Sequence, residues 1–217
     1  MMGAMKRIDK SGILSTKYME WLAALNRENR EHPKTNRSYY CDVVMNLLYC
    51  QDGLCAYTEM IICSPELLTE DNWEQGKYKH EKGCHLGSLE HFDPRLKKGK
   101  FWEWGNLFVV HPKINVLKGA KEIDYILKPD SPDYDPMRLL EYDVENHIFF
   151  PSVGIDEQSV RERVRRMIKV LQLNHNTVRY ERKRFFRRIT LEMELELEPR
   201  IDCFFTAYRM VKEKLAL

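Results

Sequence analysis

The sequence contains no apolar stretch of the roughly 18 residues that a helix needs to span a bilayer. Residues 1–7 also lack the apolar core of a secretory signal. Cysteine is present but not patterned, because positions 41, 50, 55, 63, 84 and 203 match no disulfide framework. We therefore expect no membrane association, reduced thiols and a cytoplasmic protein.

A strong net charge is also missing, since the chain of 217 residues carries a formal net charge of only +2. The charge is unevenly distributed, however, because residues 161–188 contain eleven Lys or Arg and only two Glu. That segregation indicates an anionic partner, although basic helices are often only solvated surfaces. With 43% hydrophobic and 31% charged residues, the composition is that of an ordinary globular protein, and we expect one domain over residues 1–217.

The spacing of apolar residues predicts helices on both sides of the centre of the chain. We expect two helices in the N-terminal residues 1–53 and basic helices in the C-terminal residues 151–217. The expected helices cover residues 15–30, 39–49, 156–171, 177–197 and 201–215, and an expected hairpin covers 139–150. Residues 191–198 alternate apolar residues with Glu, which is a strand period, but Leu, Met and Glu are good helix formers and we expect a helix there.

The centre of the chain contains an acid–histidine pair, Glu90 and His91, at the end of an apolar run. A basic turn follows, and Asn106 then precedes a second apolar run. Pro112 is a suitable first residue for a helix, which would carry Asn115. This order of strand, loop, strand and helix would bring a carboxylate, an imidazole and an amide within reach of one another.

These four polar side chains, with Lys118 three residues after the last of them, resemble the motif of HNH endonucleases, which belong to the ββα-metal superfamily. The resemblance extends over residues 54–188. It is a resemblance to the compact bacterial HNH family that is associated with retrons and Septu-type anti-phage systems. The resemblance implies an α+β fold in which a small ββα-metal (HNH) element is embedded in a mostly α-helical domain. That element, its insertions and the hairpin would occupy residues 54–150.

The resemblance also implies a role for each residue of the motif. His91 would be the general base that deprotonates water, which suits an imidazole with an unperturbed pKa of about 6.5. Glu90 and the side-chain carbonyl of Asn115 would bind one divalent ion, Mg²⁺ or Mn²⁺, through hard oxygen donors. Asn106 would hold the loop between the strands and so orient the histidine. Considered singly, each of these residues is more often structural than functional.

Cations near the motif and beyond it would contact the phosphates of a nucleic acid. They are Lys118 and Lys121 on the expected central helix, and Arg165, Arg166, Arg184 and Arg187 in the basic C-terminal helices. The favoured partner is DNA, with RNA second. The resemblance further implies a partner ATPase from a defence system.

Zinc is not expected, although the related family commonly has a zinc knuckle made of two cysteine pairs. Cys55 matches the first ligand, and His111 stands at a position where it could serve as another. Thr58 and Ile114 stand at the other two positions, and an isoleucine cannot bind zinc. No supporting spacing is found for the neighbouring donors Cys63, Cys84 and His85.

The sequence therefore predicts a metal-dependent HNH endonuclease that hydrolyses phosphodiester bonds in DNA, or in RNA, during anti-phage defence. The alternative is a degenerate HNH module that binds nucleic acid or a protein partner without cleaving it. The missing zinc knuckle motivates this alternative, because the knuckle normally braces the catalytic loop. The presence of all four motif residues favours the endonuclease.

Overall fold

Helices and two-stranded antiparallel sheets make up the structure, a computed structural model that describes residues 7–80 and 85–215. The helices are α1 (Thr16–Arg27), α2 (Arg37–Cys50), α3 (Pro112–Lys118), α4 (Pro136–Leu139), α5 (Gln158–Val170), α6 (Asn176–Glu194) and α7 (Phe205–Leu215). The strands are β1 (Trp73–Glu74), β2 (Lys77–Tyr78), β3 (Ser88–His91), β4 (Leu107–Val110), β5 (Leu140–Asp143) and β6 (Ile148–Pro151). Each odd-numbered strand pairs with the next strand in an antiparallel hairpin. The fold is therefore of the α+β class, as expected.

The chain divides into two compact units. The first unit contains the described residues within 8–56 and 62–123, and the second contains Arg7 and the described residues within 57–61 and 124–215. The HNH-like motif lies in the first unit, and the basic helices α5 and α6 lie in the second. That the whole chain forms one domain stays a prediction.

The first unit is built around α2, whose buried residues include Val43 and Leu47, as the helical spacing predicts. The helix starts two residues earlier than expected, because the side chain of Asn36 caps it by accepting a hydrogen bond from Ser38 N at 3.2 Å. β4 packs against this helix, and all of its side chains are buried. A continuous apolar run, rather than an alternating one, is typical of such a strand.

Gln51 follows α2 directly and ties it to β4. Its Nε2 donates to the carbonyl oxygens of Leu54 at 2.7 Å and Val109 at 2.8 Å, and its Oε1 accepts from Val109 N at 2.9 Å. The Gln51 side chain is buried, so these hydrogen bonds satisfy groups that water does not reach. The end of α2 and the middle of β4 are therefore fixed to each other.

The second unit contains the hairpin β5–β6 at the position predicted from the sequence, together with α4, α5, α6 and α7. Arg182 of α6 is a buried charge in this unit, with 1% of its surface exposed. Its guanidinium donates to the carbonyl oxygens of His147, at 3.0 Å, and Leu173, and it lies 4.5 Å from the ring centroid of Phe149. Burial of this charge is tolerated because it donates to two carbonyl oxygens and faces an aromatic ring.

Several helix ends differ from the sequence-based boundaries, among them the end of α1, which lies three residues earlier than expected, at Arg27. α6 ends three residues earlier than expected, at Glu194, because the chain turns at Glu196 with a φ of +57°. α7 begins four residues later than expected, after Phe204 at a φ of +50°.

Within residues 7–80 and 85–215, no helix combines the length and the apolar character that crossing a membrane requires.

The polar stretch between residues 64 and 85 contains a small hairpin that is not among the sequence-based expectations. Its strands pair Trp73 with Tyr78 and are joined by Gln75 and Gly76, whose φ angles are +51° and +76°. Two consecutive residues at positive φ form the turn that matches the twist of a hairpin. The sequence does carry one signal for this hairpin, which is a Gly in the second turn position between two aromatic residues.

Candidate active site

The acid–histidine pair lies at the end of β3, opposite the start of β4. The register pairs Glu90 with Phe108 and His91 with Leu107. Both side chains of the pair are buried, with 3% of each residue exposed. Because successive strand residues point to opposite faces, the carboxylate and the imidazole enter different surroundings.

The imidazole of His91 is oriented by the loop between the two strands. Its Nε2 lies 2.7 Å from the carbonyl oxygen of Phe101, and its ring centroid is 4.7 Å from the Phe101 ring centroid. A carbonyl oxygen only accepts, so Nε2 carries the proton and Nδ1 of the neutral ring carries the lone pair. Among the residues that the structure describes, Nδ1 has no hydrogen-bond partner. Burial lowers the pKa of His91 to about 4, and the nearby ammonium groups of Lys97 and Lys118 contribute to that decrease.

Asn106 closes the same loop. Its Oδ1 accepts from Asp93 N at 2.8 Å and its Nδ2 donates to Asp93 O at 3.0 Å, while its own carbonyl accepts from Phe92 N at 2.8 Å. Asn106 and Asp93 are both buried, so both hydrogen bonds of the side chain are shielded from water. The amide therefore joins the two ends of the loop, next to the histidine.

Helix α3 packs on β3 through polar side chains. His111 caps the helix, because its Nδ1 accepts from Lys113 N at 3.2 Å. Asn115 donates through Nδ2 to Ser88 Oγ at 2.8 Å and to Leu89 O at 3.1 Å. The carbonyl of Leu89 requires a donor, so the side-chain oxygen Oδ1 points elsewhere. Oδ1 has no hydrogen bond to any part of the chain that the structure describes, and it is the oxygen that a metal ion would use.

Lys118 occupies an unexpected position. Its side chain is fully buried, and its ammonium donates to Glu90 Oε1 and, at 3.0 Å, to the carbonyl oxygen of His91. The sequence-based expectation was a phosphate contact, but the structure turns this cation inward, because Asn115 and Lys118 share the face of α3 that covers β3. Burial raises the pKa of Glu90, and the ammonium opposes that rise.

The other expected phosphate ligands are exposed. Lys121 follows α3, and its Nζ donates to Leu117 O at 2.5 Å. In the second unit, Arg165 of α5 and Arg187 of α6 are exposed and form no ion pair with the described residues. Arg166 contacts Asp124 at 3.4 Å, and Arg184 contacts Glu181 at 3.3 Å.

The positions of the zinc knuckle are filled by packed side chains. Cys55 Sγ accepts from His111 N at 3.3 Å, and Ile114 is buried with 1% exposed. Thr58 is buried in the second unit, and Cys84 lies outside the described residues. Within residues 7–80 and 85–215, no group of three or more His, Cys, Asp or Glu is arranged to hold a metal ion.

The two candidate metal ligands, Glu90 and Asn115, offer donor atoms of the kind that Mg²⁺ prefers. The Glu90 carboxylate and Asn115 Oδ1 are hard oxygen donors, and Mg²⁺ commonly takes one or two protein oxygens and completes its shell with waters. The Lys118 ammonium already bonds the same carboxylate, however. The proposed ligand set is thus chemically suitable, with one of its oxygens held by a cation of the chain itself.

Comparison with protein-family models and with curated proteins finds no match to this chain. Membership of the HNH family therefore stays a proposal, supported by the motif residues and their geometry. Some residues that build the site carry no sequence signal of their own: Phe101, Asp93 and Ser88 contribute through a carbonyl, a backbone N–H and a hydroxyl. Their partners lie 10, 13 and 27 positions away, which no local pattern reveals.

The lowered pKa of His91 predicts a pH-dependent stability. The pKa is about 4 in the folded chain. It is about 6.5 in an unfolded chain, so the unfolded state binds more protons between these values and stability rises with pH across that window. Replacing His91 with Gln, which keeps a donor for the Phe101 carbonyl, should remove roughly 3 kcal/mol of the difference in unfolding free energy between pH 4 and pH 7. Urea unfolding at several pH values measures this, and identical pH dependence in both proteins would contradict it.

Proposed function

We propose that this chain is a metal-dependent HNH endonuclease that hydrolyses phosphodiester bonds, with DNA as the favoured substrate. The observation that carries the proposal is the orientation of His91. Its ring is neutral, its proton is on Nε2 against the Phe101 carbonyl, and its Nδ1 lone pair has no partner in the described chain. A buried histidine with a purely structural role would more commonly use both nitrogens.

His91 would act as the general base. Its Nδ1 would accept a proton from the attacking water, and the Phe101 carbonyl, which already accepts the Nε2 proton, would stabilise the resulting imidazolium. Asn106 would keep the ring in place, because it fixes the backbone of Asp93, two residues after the histidine. A positioned base of this kind typically contributes roughly 10²–10⁴-fold to a rate.

Glu90 and Asn115 would hold the divalent ion, Mg²⁺ or Mn²⁺. When bound, such an ion supplies positive charge against the negative charge that develops on the phosphate and on the leaving oxygen. The Asn115 amide is suited to this role because its Nδ2 is fixed on β3, which leaves Oδ1 as the available donor. Zinc has no part in this proposal.

The exposed arginines of α5 and α6 would provide nonspecific affinity for the phosphate backbone. Arg165 and Arg187 are exposed without an ion pair in the described chain, and Arg184 is 64% exposed beside Glu181. Such cations release counterions when they bind DNA. Lys121 would add a contact from the first unit. The resemblance to defence-associated HNH proteins further suggests a role in anti-phage defence with a partner ATPase.

A second function has one observation in its favour. The Lys118 ammonium bonds the carboxylate that the metal would need, which suits an HNH module that binds nucleic acid or a protein without cleaving it. Cleavage assays separate the two functions. Plasmid and RNA substrates would be incubated with Mg²⁺, Mn²⁺ or EDTA, with the chain alone and with the products of neighbouring genes. Absence of cleavage under all of these conditions would support the binding module.

If His91 is the general base, His91→Gln should strongly slow cleavage without loss of folding. The glutamine amide keeps the hydrogen bond to Phe101 but cannot act as a base, so the single-turnover rate of plasmid cleavage should fall by roughly 10²–10⁴-fold. The matched control is His80→Ala, which removes an exposed imidazole that hydrogen-bonds Asn72 and should leave the rate unchanged. Cleavage by His91→Gln at the wild-type rate would overturn the assignment of the base.

Salt dependence tests the expected DNA-binding surface. Combining Arg165→Ser, Arg184→Ser and Arg187→Ser should reduce DNA affinity and flatten the plot of log K against log salt by about 0.9 for each phosphate that the protein no longer neutralises. A control protein with Arg27→Ser, Lys34→Ser and Lys79→Ser loses three exposed cations of the first unit. It should keep the wild-type slope. Equal flattening in both proteins would show that net charge, and not these arginines, sets the binding.

A further inference from the structure

The Lys118 ammonium directly contacts Glu90, one of the two candidate metal ligands. Its side chain is 0% exposed and its partner Glu90 is 3% exposed, so neither charge is solvated by bulk water. The ammonium also donates to His91 O at 3.0 Å. Buried charges persist only when they are paired and hydrogen-bonded, and here each charge satisfies the other.

A divalent ion and the Lys118 ammonium would need the same carboxylate. Asn115, which would be the second ligand, precedes Lys118 by three residues on the same face of α3, so an ion bound to both ligands would lie beside this ammonium. Two positive charges in one buried site repel strongly, because little solvent screens them. Either the ammonium moves away or the ion binds weakly.

We propose that Lys118 is a positioning residue that holds Glu90 in place when no divalent ion is bound and competes with that ion for the carboxylate. This inference rests on the proposed function, because it concerns the same metal site. Lys118 is the last residue of α3, and Gly119 follows it at a φ of +54°. The side chain therefore lies where the helix ends, and its departure does not require a break within the helix.

The competition has two consequences for the site. The ion pair keeps β3 and α3 together without metal, so the ligands remain in place. The apparent affinity for metal is lowered, because only the fraction of molecules in which the ammonium has left Glu90 is competent to bind the ion. The concentration of free divalent ion would then determine how much of the protein is active.

Binding of Mn²⁺ tests the proposal without an activity assay. The free ion is counted by electron paramagnetic resonance for the wild type and for Lys118→Met. If the competent state is populated at roughly 1–10%, removal of the ammonium should tighten Mn²⁺ binding by about 10–100-fold.

Lys97→Met is the matched control, because Lys97 is exposed and acts on Glu90 through space without bonding it. Lys97→Met should bind Mn²⁺ within about threefold of the wild type, as expected for a screened surface charge. Adding Glu90→Gln to Lys118→Met should abolish the gain.

The outcomes separate this inference from the proposed function. If the wild type binds Mn²⁺ and Lys118→Met binds it no more tightly, the competition is overturned and the metal site stands. If Lys97→Met gains as much as Lys118→Met, a general charge effect replaces the competition. If neither the wild type nor Lys118→Met binds Mn²⁺, the inference fails together with the metal site on which it rests.

A measurement on the wild type covers the case in which Lys118→Met does not fold. A buried, hydrogen-bonded lysine ammonium exchanges its protons slowly enough for nitrogen-detected NMR. Titration with Mg²⁺ should shift or broaden the Lys118 Nζ signal in step with the side-chain amide signal of Asn115. An Nζ signal that stays constant while the Asn115 amide shifts to saturation would overturn the proposal, and so would the absence of any Mg²⁺-dependent shift.

Discussion

The candidate site depends above all on the two hydrogen bonds between the Asn106 side chain and the backbone of Asp93. They join the end of β3 to the start of β4 and so define the loop that carries the Phe101 carbonyl. The ring of His91 bonds that carbonyl, and its proton is therefore on Nε2. Without these two hydrogen bonds the loop would be free to move. The imidazole would then no longer be held in one orientation, with its proton on Nε2.

The other half of the site is held by charge. Lys118 and Asn115 fix α3 on β3 through the Glu90 carboxylate, two backbone carbonyls and a serine hydroxyl. A buried ion pair is a weak source of stability but a strong constraint on geometry, because leaving either charge alone is unfavourable. The site thus combines two buried hydrogen bonds between neutral groups, Asn106 and the Asp93 backbone, with the buried ion pair of Lys118 and Glu90. A divalent ion would have to separate this ion pair to reach the carboxylate.

The sequence predicts those parts of the structure that follow from short-range pattern. The hairpin β5–β6 and the core of α2 have the expected residues, because strand and helix periods are local properties. The inward turn of Lys118 was not predictable, since a lysine on a short helix is ordinarily solvated and only the approach of β3 buries it. The links from Gln51 to β4 and from His91 to Phe101 were also missed, because they join residues 58 and 10 positions apart without any periodic signal.

The most direct test of this account is the single-turnover rate of plasmid nicking by Asn106→Asp, compared with the wild type at equal folded fraction. Aspartate has the shape of asparagine and can still accept from Asp93 N, but a carboxylate cannot donate to the Asp93 carbonyl. One of the two hydrogen bonds is therefore replaced by repulsion between two oxygens, while the volume is kept. Displacement of a catalytic group by about 1 Å can cost about 10²-fold in rate, and we expect Asn106→Asp to lose at least that much. A nicking rate equal to that of the wild type would contradict the claim that Asn106 orients His91 for catalysis.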